Sequence, residues 1–340
     1  MIRPAGVLST MLIVASVPAF GWGCRGHETI ALIALKDMTS AHVEATNALL
    51  DKYPISIHLS CGADGLPAAA RDSTWADDYR ATAEGNQTGG WHFLDVPLNS
   101  TTADLDKLCS GGCVFNAIRD QIAVFKKNPD SRAGAGALRF IIHFVGDAHQ
   151  PLHAETNNDR GGNCIPADYL KVHAKRRVDR KSGNISYDPE LHSIWDKYII
   201  DAQVQGGSNL APEKIIAFAD ALYNKTAAVR SAWANFSLDS DFDGLLLNWI
   251  MDAHGLAASV SYEHLVAGAR GRNVTAQALA GPDGLASCED RHFQEKIAKK
   301  RVAVNAAYVD AAEPVIETQL EKAGIRLARI LDQLWDGVRP

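Results

Sequence analysis

The sequence has few of the compositional features that advertise a function. It has no excess of basic residues, since 34 Lys and Arg stand against 40 Asp and Glu and the formal net charge is −6. Composition therefore does not indicate binding of nucleic acid through a broad basic face. Alternating Val, Ile and Thr patterns, which are typical of strands, are nearly absent, and we find no internal repeat or low-complexity segment.

The amino-terminal end contains an apolar run without charged residues. Arg3 precedes an apolar run at 7–17, and Ala19 and Gly21 place small residues three and one before the next bond. This pattern is typical of a secretory signal peptide at 1–21 that is cleaved before Trp22, leaving a mature domain at 22–340. A short core helix is the alternative. No run is long enough for a membrane span. Because the leader is expected to be cleaved, we expect a secreted or periplasmic protein.

Cysteine is scarce, with six residues in the chain, and an oxidising compartment favours disulfides over free thiols. Cys109 and Cys113 have two glycines between them and are close enough to form a small disulfide loop. We favour this over a zinc site because no second Cys or His pair accompanies them. The other four cysteines, at 24, 61, 164 and 288, allow three pairings. Six Asn-x-Ser/Thr sequons would carry glycans only in a host that glycosylates.

The hydrophobic pattern predicts helices. Apolar residues recur at helical spacing from Ile30 to Met38 and stop at Thr39, and the segment at 137–149 is apolar almost all round, as in a buried helix. A stripe from Ile316 to Leu334 predicts a long carboxy-terminal helix. The segments at 157–184 and 268–289 have the composition of loops. None of these resembles a domain linker, so we predict one all-α domain.

Two His-x-x-x-Asp pairs suggest a metal site. His143 and Asp147 lie four residues apart within the buried segment, so both side chains project from the same face of a helix. A buried carboxylate must be paired or metal-bound. The same spacing returns at His192 and Asp196. Each pair alone is weak evidence, and the case rests on their occurrence together with further His and Asp residues, namely His27, Asp77, His92 and His153.

Six stretches carry a resemblance to a known family. In chain order they are WGCRGHETIALIA at 22–34, TWADDYR at 74–80, WHFLD at 91–95, RFIIHFVGDAHQPLH at 139–153, GGN at 161–163 and LHSIWDKY at 191–198. The chain resembles the single-strand-specific, zinc-dependent nucleases of the S1/P1 type from Trp22 to its last helix. The resemblance implies a mostly helical fold, shared with zinc phospholipase C, and an active-site cleft that holds three zinc ions.

The resemblance also implies a ligand set. One zinc would be bound by Asp77, His92, His143 and Asp147, and a second by His153, His192 and Asp196. The third would be bound by His27 and by the amine and carbonyl of Trp22, with Asp147 bridging it to the first. Trp22 offers a free amine only after the leader has been removed. No obligate protein partner is evident.

The implied reaction is hydrolysis of phosphodiester bonds in single-stranded DNA and RNA, which gives products with 5′-phosphates. The resemblance also implies hydrolysis of 3′-nucleotides. Three zinc ions and three aspartates leave the site at about +3, which would attract a phosphodiester to an acidic protein. Metal-activated water would attack phosphorus, with Asp77 orienting it and Arg80 stabilising the charge that develops. Phe93 matches the family's base-stacking aromatic and Asp95 its base-edge acceptor, and Asn163 is a further candidate for substrate binding.

The sequence departs from the family in one segment and allows two alternative functions. The segment after Asn163 is longer than in the fungal members and contains the basic cluster Lys175-Arg176-Arg177. This cluster either rims the cleft and binds the strand backbone or lies on a solvated loop. A zinc phospholipase C on the same fold and a secreted zinc-binding protein without catalysis are the alternative functions. The presence of Asp77 and Arg80 argues against the second.

Overall fold

The computed structural model describes residues 21–62, 64–178, 185–204, 211–239, 241–267, 272–281 and 302–338. Of the expected leader only Gly21 lies among them, so the signal peptide stays a prediction. Helices predominate in these ranges, as predicted. None of the helices described is both long and apolar enough to cross a membrane.

The described residues form the following helices. They are α1 (Cys24–Asp37), α2 (Ser40–Lys52), α3 (Ala68–Arg71), α4 (Trp75–Tyr79), α5 (Leu105–Leu108), α6 (Val114–Lys127), α7 (Arg132–Asp147), α8 (Leu191–Ser193), α9 (Ile199–Gln203), α10 (Pro212–Lys225), α11 (Arg230–Trp233), α12 (Phe242–Leu256), α13 (Ala276–Leu279) and α14 (Ala306–Asp336). Short 3₁₀ turns lie at Asn86–His92, Pro151–His153 and Thr226–Ala228. Single π-helical turns lie at Ile194–Tyr198 and Ala257–Ser261.

Helix α1 lies at the centre of the packing. It contacts α14 and α10, and its apolar residues between 30 and 34 are buried. Gly324 of α14 permits the closest approach, because a Cβ there would collide with the side chain of Ile33 and lie 3.1 Å from the carbonyl oxygen of Ile30. The predicted carboxy-terminal helix thus covers α1 along its buried face.

Helix α7 is buried over nearly its whole length, as the sequence predicts. Ser131 caps it by accepting a hydrogen bond from the amide of Gly134 at 3.0 Å. Arg139 ties the helix to the turn between α3 and α4, since its Nε donates to Asp72 at 2.9 Å. Its guanidinium also donates to the carbonyls of Leu50 and Tyr53. This clamp places the turn that precedes α4 against the middle of α7.

Strands form in both segments that have a loop-like composition. Strands β1 (Ala167–Tyr169), β6 (Val302–Val304), β4 (Val266–Ala267) and β5 (Arg272–Asn273) make one sheet in this order, with β1 parallel to β6 and the other pairs antiparallel. Strands β2 (Lys175–Val178) and β3 (Ile185–Asp188) pair as an antiparallel hairpin. The loop prediction is wrong here because strands of two to four residues are too short to show alternation. The same segment also contains α13, and its residues 268–271 and 282–289 lie outside the described residues.

Disulfides close two loops. Cys109 and Cys113 are bonded, which confirms the predicted short loop and removes the zinc alternative for this pair. Cys24 is bonded to Cys61, so the start of α1 is linked to the loop after α2. Cys164 is also disulfide-bonded. Its partner lies outside the described residues.

Candidate metal centre and the adjoining cavity

The first donor group is built on α7. His143 and Asp147 are both fully buried, and their facing atoms, Nε2 and Oδ2, are 3.2 Å apart. His92, at the end of a 3₁₀ turn, brings its Nδ1 to 3.0 Å from Asp147 Oδ2 and 3.1 Å from His143 Nε2. Asp77 of α4 completes the group, with Oδ1 3.6 Å from the same nitrogen of His92. Three chain segments, α4, the 3₁₀ turn and α7, therefore aim their donors at a common point.

The second donor group combines the turn after α7 with α8. His153 and His192 face each other with their Nε2 atoms 3.0 Å apart, and Asp196 Oδ2 lies 3.0 Å from His192 Nε2. Gln150 holds the other carboxylate oxygen of Asp196, since its Nε2 donates at 2.5 Å. Asp147 Oδ1 is 3.7 Å from His153 Nδ1, so the first and second groups adjoin.

Three of these imidazoles are oriented in the same way. Nδ1 of His143, His153 and His192 lies 2.6–2.8 Å from a backbone carbonyl oxygen, of Ser73, His92 and Gly161 respectively. A carbonyl oxygen only accepts, so each Nδ1 must donate, and each Nε2 is left with a lone pair that faces the cluster. Second contacts of this kind fix the tautomer and ring orientation of metal-binding histidines. Gly161 can supply its carbonyl because its φ of 59° is a left-handed conformation that glycine adopts readily.

The third donor group lies where the chain enters α1. His27 stacks on His143 with ring centroids 3.9 Å apart, and its Nε2 lies 3.4 Å from Asp147 Oδ1. Trp22 is fully buried, and its indole Nε1 donates to the carbonyl of Gly146 at 2.9 Å. The amide of Gly23 donates to the carbonyl of Asp196 at 2.8 Å. The main chain at Trp22 is therefore held beside the segments that carry both carboxylates.

The donors fit a metal cation. His27 Nε2 and Asp147 Oδ1, which face each other, are buried with no hydrogen-bond partner among the described residues, an arrangement that proteins rarely leave uncompensated. Two donors on one tetrahedral zinc lie about 3.3–3.6 Å apart. Neighbouring donors in the three groups are 3.0 to 3.8 Å apart, and the donor atoms of His153, His192 and Asp196 all lie within 4.8 Å of one another. Imidazole and carboxylate are also the ligands that zinc prefers besides thiolate.

The electrostatics favour positive charge at His143 and His192, whereas burial lowers the pKa of His92 to about 4 and that of His153 to about 3. Burial alone would lower the pKa of His143, but the carboxylates of Asp147 and Asp77 outweigh it and raise this pKa to about 9. For His192 the carboxylate of Asp196 likewise outweighs burial and raises the pKa to about 9. Burial would raise the pKa of Asp147, but the neighbouring imidazoles His143 and His153 hold it well below its ordinary value. A metal ion would supply the positive charge that protons otherwise bring to these positions.

A cavity adjoins the second donor group. It has a volume of about 100 Å³, and its walls include Arg80, Phe93, Asp95, Asn163, His153 and His192. All three residues expected to bind substrate thus line one space beside the cluster. Nη2 of Arg80 lies 2.8 Å from Asp77 Oδ1, so the guanidinium links the first donor group to the cavity.

Sequence reasoning misses two residues of this site. Gln150 positions Asp196, and it stands inside the stretch at 139–153, where a polar side chain between two ligand positions is a usable signal. Arg160 lines the cavity from the segment with a loop-like composition, and no periodicity marks it. His149 lies in the same stretch as Gln150 but is not part of the cluster, because Arg326 Nη1 lies 2.7 Å from its Nε2.

Comparison with known proteins agrees with this geometry. The S1/P1 Nuclease family profile matches residues 22–336. Nuclease S1 of Aspergillus oryzae is 29% identical over 337 residues, which cover 96% of each chain. Nuclease P1 of Penicillium citrinum is 26% identical over 92% of this chain and 97% of its own. Endonuclease 3 of Arabidopsis thaliana is 25% identical over 94% of this chain and 91% of its own.

Proposed function

The chain belongs to the S1/P1 nuclease family and is a metal-dependent hydrolase of phosphodiester bonds in nucleic acid, and from this premise we propose a finer function. It is a secreted or periplasmic three-zinc endonuclease that cleaves single-stranded DNA and RNA to products with 5′-phosphates. It also acts on 3′-nucleotides. The observation that carries the proposal is the convergence of three buried His/Asp groups from distant segments beside a cavity lined by an arginine and an aromatic ring.

The proposed zinc ligands follow the three donor groups. The first group supplies Asp77, His92, His143 and Asp147, and the second supplies His153, His192 and Asp196. The third consists of His27, the main-chain groups of Trp22 and the second oxygen of Asp147, which links it to the first. In support, the side-chain donors are buried, and the 3.4 Å between His27 Nε2 and Asp147 Oδ1 suits two ligands of one tetrahedral zinc.

Bound zinc would polarise the phosphodiester and lower the pKa of a coordinated water, which is the usual contribution of zinc to hydrolysis. The chain's own groups position the reaction. Asp77 is placed to accept a proton from, and orient, an attacking water at the first donor group. Arg80 lies between Asp77 and the cavity, so its guanidinium can bind the phosphoryl oxygens as negative charge builds on them.

Preference for single strands follows from the cavity. A base must leave its stack to enter a closed space, which costs a few kcal/mol in a duplex and little in a single strand. We assign base stacking to the ring of Phe93, base-edge hydrogen bonding to Asp95, and a polar contact with the substrate to Asn163. Stacking tolerates any base and is worth about 1–3 kcal/mol per base.

The carboxylate of Asp77 can be tested directly, because the next residue is a matched control. Asp78 lies on the same helix, but its carboxylate binds Ser60, with Oδ1 2.6 Å from the hydroxyl and Oδ2 2.8 Å from the amide. We expect Asp77→Asn to abolish hydrolysis of a single-stranded oligonucleotide and Asp78→Asn to retain most of it. Both variants should keep the helical circular dichroism spectrum. Comparable rates for the two variants would refute the assigned role.

Two other functions are tested by comparing substrates. A zinc phospholipase C would hydrolyse a phosphatidylcholine analogue faster than single-stranded DNA. A secreted zinc-binding protein without catalysis would release no 5′-mononucleotide at any zinc concentration. The presence of Arg80 beside the cavity favours the nuclease over simple metal retention, which needs no cation at that place.

A further inference from the structure

The β2–β3 hairpin carries a compact basic surface. Three consecutive basic residues, Lys175, Arg176 and Arg177, occupy β2, and all four residues of this strand are exposed. The chain as a whole has a net charge of −6, so this exposed cluster opposes the overall sign of charge. We call residues Lys175–Val178 and Ile185–Asp188 the basic hairpin.

The two faces of the basic hairpin differ. Arg176 stands opposite Tyr187 across the strands, and Val178 stands opposite Ile185. Because cross-strand partners share a face, one face combines a guanidinium, an aromatic ring and two aliphatic side chains. Val178 is 49% exposed although it is apolar. A hairpin that is merely solvated has no need for an aromatic and aliphatic surface beside its arginine.

The charge on the other face is partly neutralised. Lys175 stands opposite Asp188, and Arg177 forms an ion pair with that carboxylate. Among the described residues no carboxylate forms an ion pair with Arg176. The guanidinium of Arg176 is therefore the member of the cluster best placed to receive an external anion.

The hairpin is fixed to the donor segment. His192 follows Asp188 by four positions, so their Cα atoms are at most about 14 Å apart. The hydroxyl of Tyr198 donates to Asp188 Oδ1 at 2.7 Å, and Tyr198 lies two residues after Asp196. A strand held at the second donor group would reach the basic hairpin within a few nucleotides.

We propose that the basic hairpin is an exosite for the sugar–phosphate backbone of a single-stranded polynucleotide, a few nucleotides from the bond that is cleaved. This rests on the proposed nuclease function and extends it from the reacting nucleotide to the neighbouring chain. Arg176 pairs with a phosphate and Tyr187 stacks on a base. Cationic grooves interleaved with aromatic side chains are the usual surface for single strands, and each phosphate contact makes binding depend on salt.

The kinetic test compares a long with a short substrate. For Lys175→Ala/Arg176→Ala and for Tyr187→Ala, we expect kcat/KM on a 20-nucleotide oligothymidylate to fall about 5–10-fold through KM. Hydrolysis of the dinucleotide TpT should change less than about twofold, since it is too short to reach the hairpin. The single variant Arg176→Lys should keep most of the wild-type affinity for the 20-mer because it keeps the positive charge. Unchanged kinetics on the 20-mer would overturn the exosite, as would an equal loss on both substrates.

A matched control comes from another exposed cation. Lys127 ends α6, about 20 Å along the helix from its start beside Phe93. We expect Lys127→Ala to leave kcat/KM on the 20-mer unchanged. For the double variant, the plot of log kcat/KM against log salt should become shallower by about 0.7 for each phosphate that the hairpin no longer binds. An equal slope for the double variant and the wild type would contradict a phosphate contact.

A binding assay separates failure of this inference from failure of the proposed function. Fluorescence anisotropy is measured with a labelled phosphorothioate 20-mer and with an uncharged methylphosphonate 20-mer of the same sequence. The wild type should bind the charged probe more tightly, and the double variant should show a smaller difference, because it keeps the metal centre and Arg80 but lacks the two cations of the hairpin. If the wild type hydrolyses neither substrate, the nuclease proposal fails while this assay still decides the exosite. Equal affinity of wild type and double variant for the charged probe would overturn it.

Discussion

The sharpest prediction concerns the residue that precedes Trp22. We compare the protein beginning at Trp22 with a form that retains Gly21. In the structure Gly21 is buried, and a Cβ on it would overlap the carboxylate of Asp147 and lie 2.8 Å from His27 Nε2. Residue 21 therefore fills the space between the two side chains of the third donor group. Retaining it also converts the amine of Trp22 into an amide, which is a poor metal ligand.

The geometry gives the expected loss of zinc and of kcat. His27 Nε2 and Asp147 Oδ1 are 3.4 Å apart, which is the spacing of two donors on one zinc, each about 2.0–2.2 Å from the ion. An ion at that position has no room beside residue 21. The extended form should therefore bind two zinc ions where the form beginning at Trp22 binds three. One Lewis acid supplies several kcal/mol of transition-state stabilisation, so kcat should fall by roughly 100-fold or more.

The assay is a zinc count by elemental analysis and native mass spectrometry, combined with hydrolysis of a single-stranded oligonucleotide. Circular dichroism serves as the control for folding, because the first two donor groups are complete in both forms. Three zinc ions per chain in the form that retains Gly21 would refute the reasoning. So would equal kcat values for the two forms.

Three further predictions concern stability. Chelation should lower the Tm by roughly 5–10 °C, because metal links donors from distant segments. Scanning calorimetry with and without chelator measures this change. An unchanged Tm would count against a fold that metal stabilises. Gly324→Ala should lower the free energy of unfolding, measured in urea, by about 1–3 kcal/mol, because its Cβ collides with Ile33. Gly136→Ala is the control, since a Cβ at this position of α7 meets no neighbour and should not destabilise the protein. Burial raises the pKa of Glu321 to about 7, so this carboxyl keeps its proton in the folded state at pH values where it has lost it in the unfolded state. The free energy of unfolding therefore falls as the pH rises from the ordinary pKa of a glutamate through 7. Glu321→Gln should therefore gain stability relative to the wild type between pH 5 and pH 8 in urea titrations, and a constant difference would argue against this effect.

The sequence determined much of the fold because its signals are local. The apolar periodicity that predicts α1, α7 and the end of α14 extends over whole helices, and all three form. The short Cys loop depends only on two neighbouring cysteines, and it too is confirmed. The strands of the four-stranded sheet were missed because they pair across long stretches of sequence, as Ala167 does with Val302. No local pattern marks such a pairing.

For the site, the sequence by itself determined the kinds of donor and the pairing of donors that lie one helical turn apart. The i, i+4 spacing puts His143 with Asp147 and His192 with Asp196, because 3.6 residues make one helical turn. Only the tertiary structure decided that these pairs adjoin, that His27 stacks on His143, and that Gln150 holds Asp196. Those contacts depend on how α1, α7 and α8 pack, and packing is set by the burial of side chains far apart in the chain.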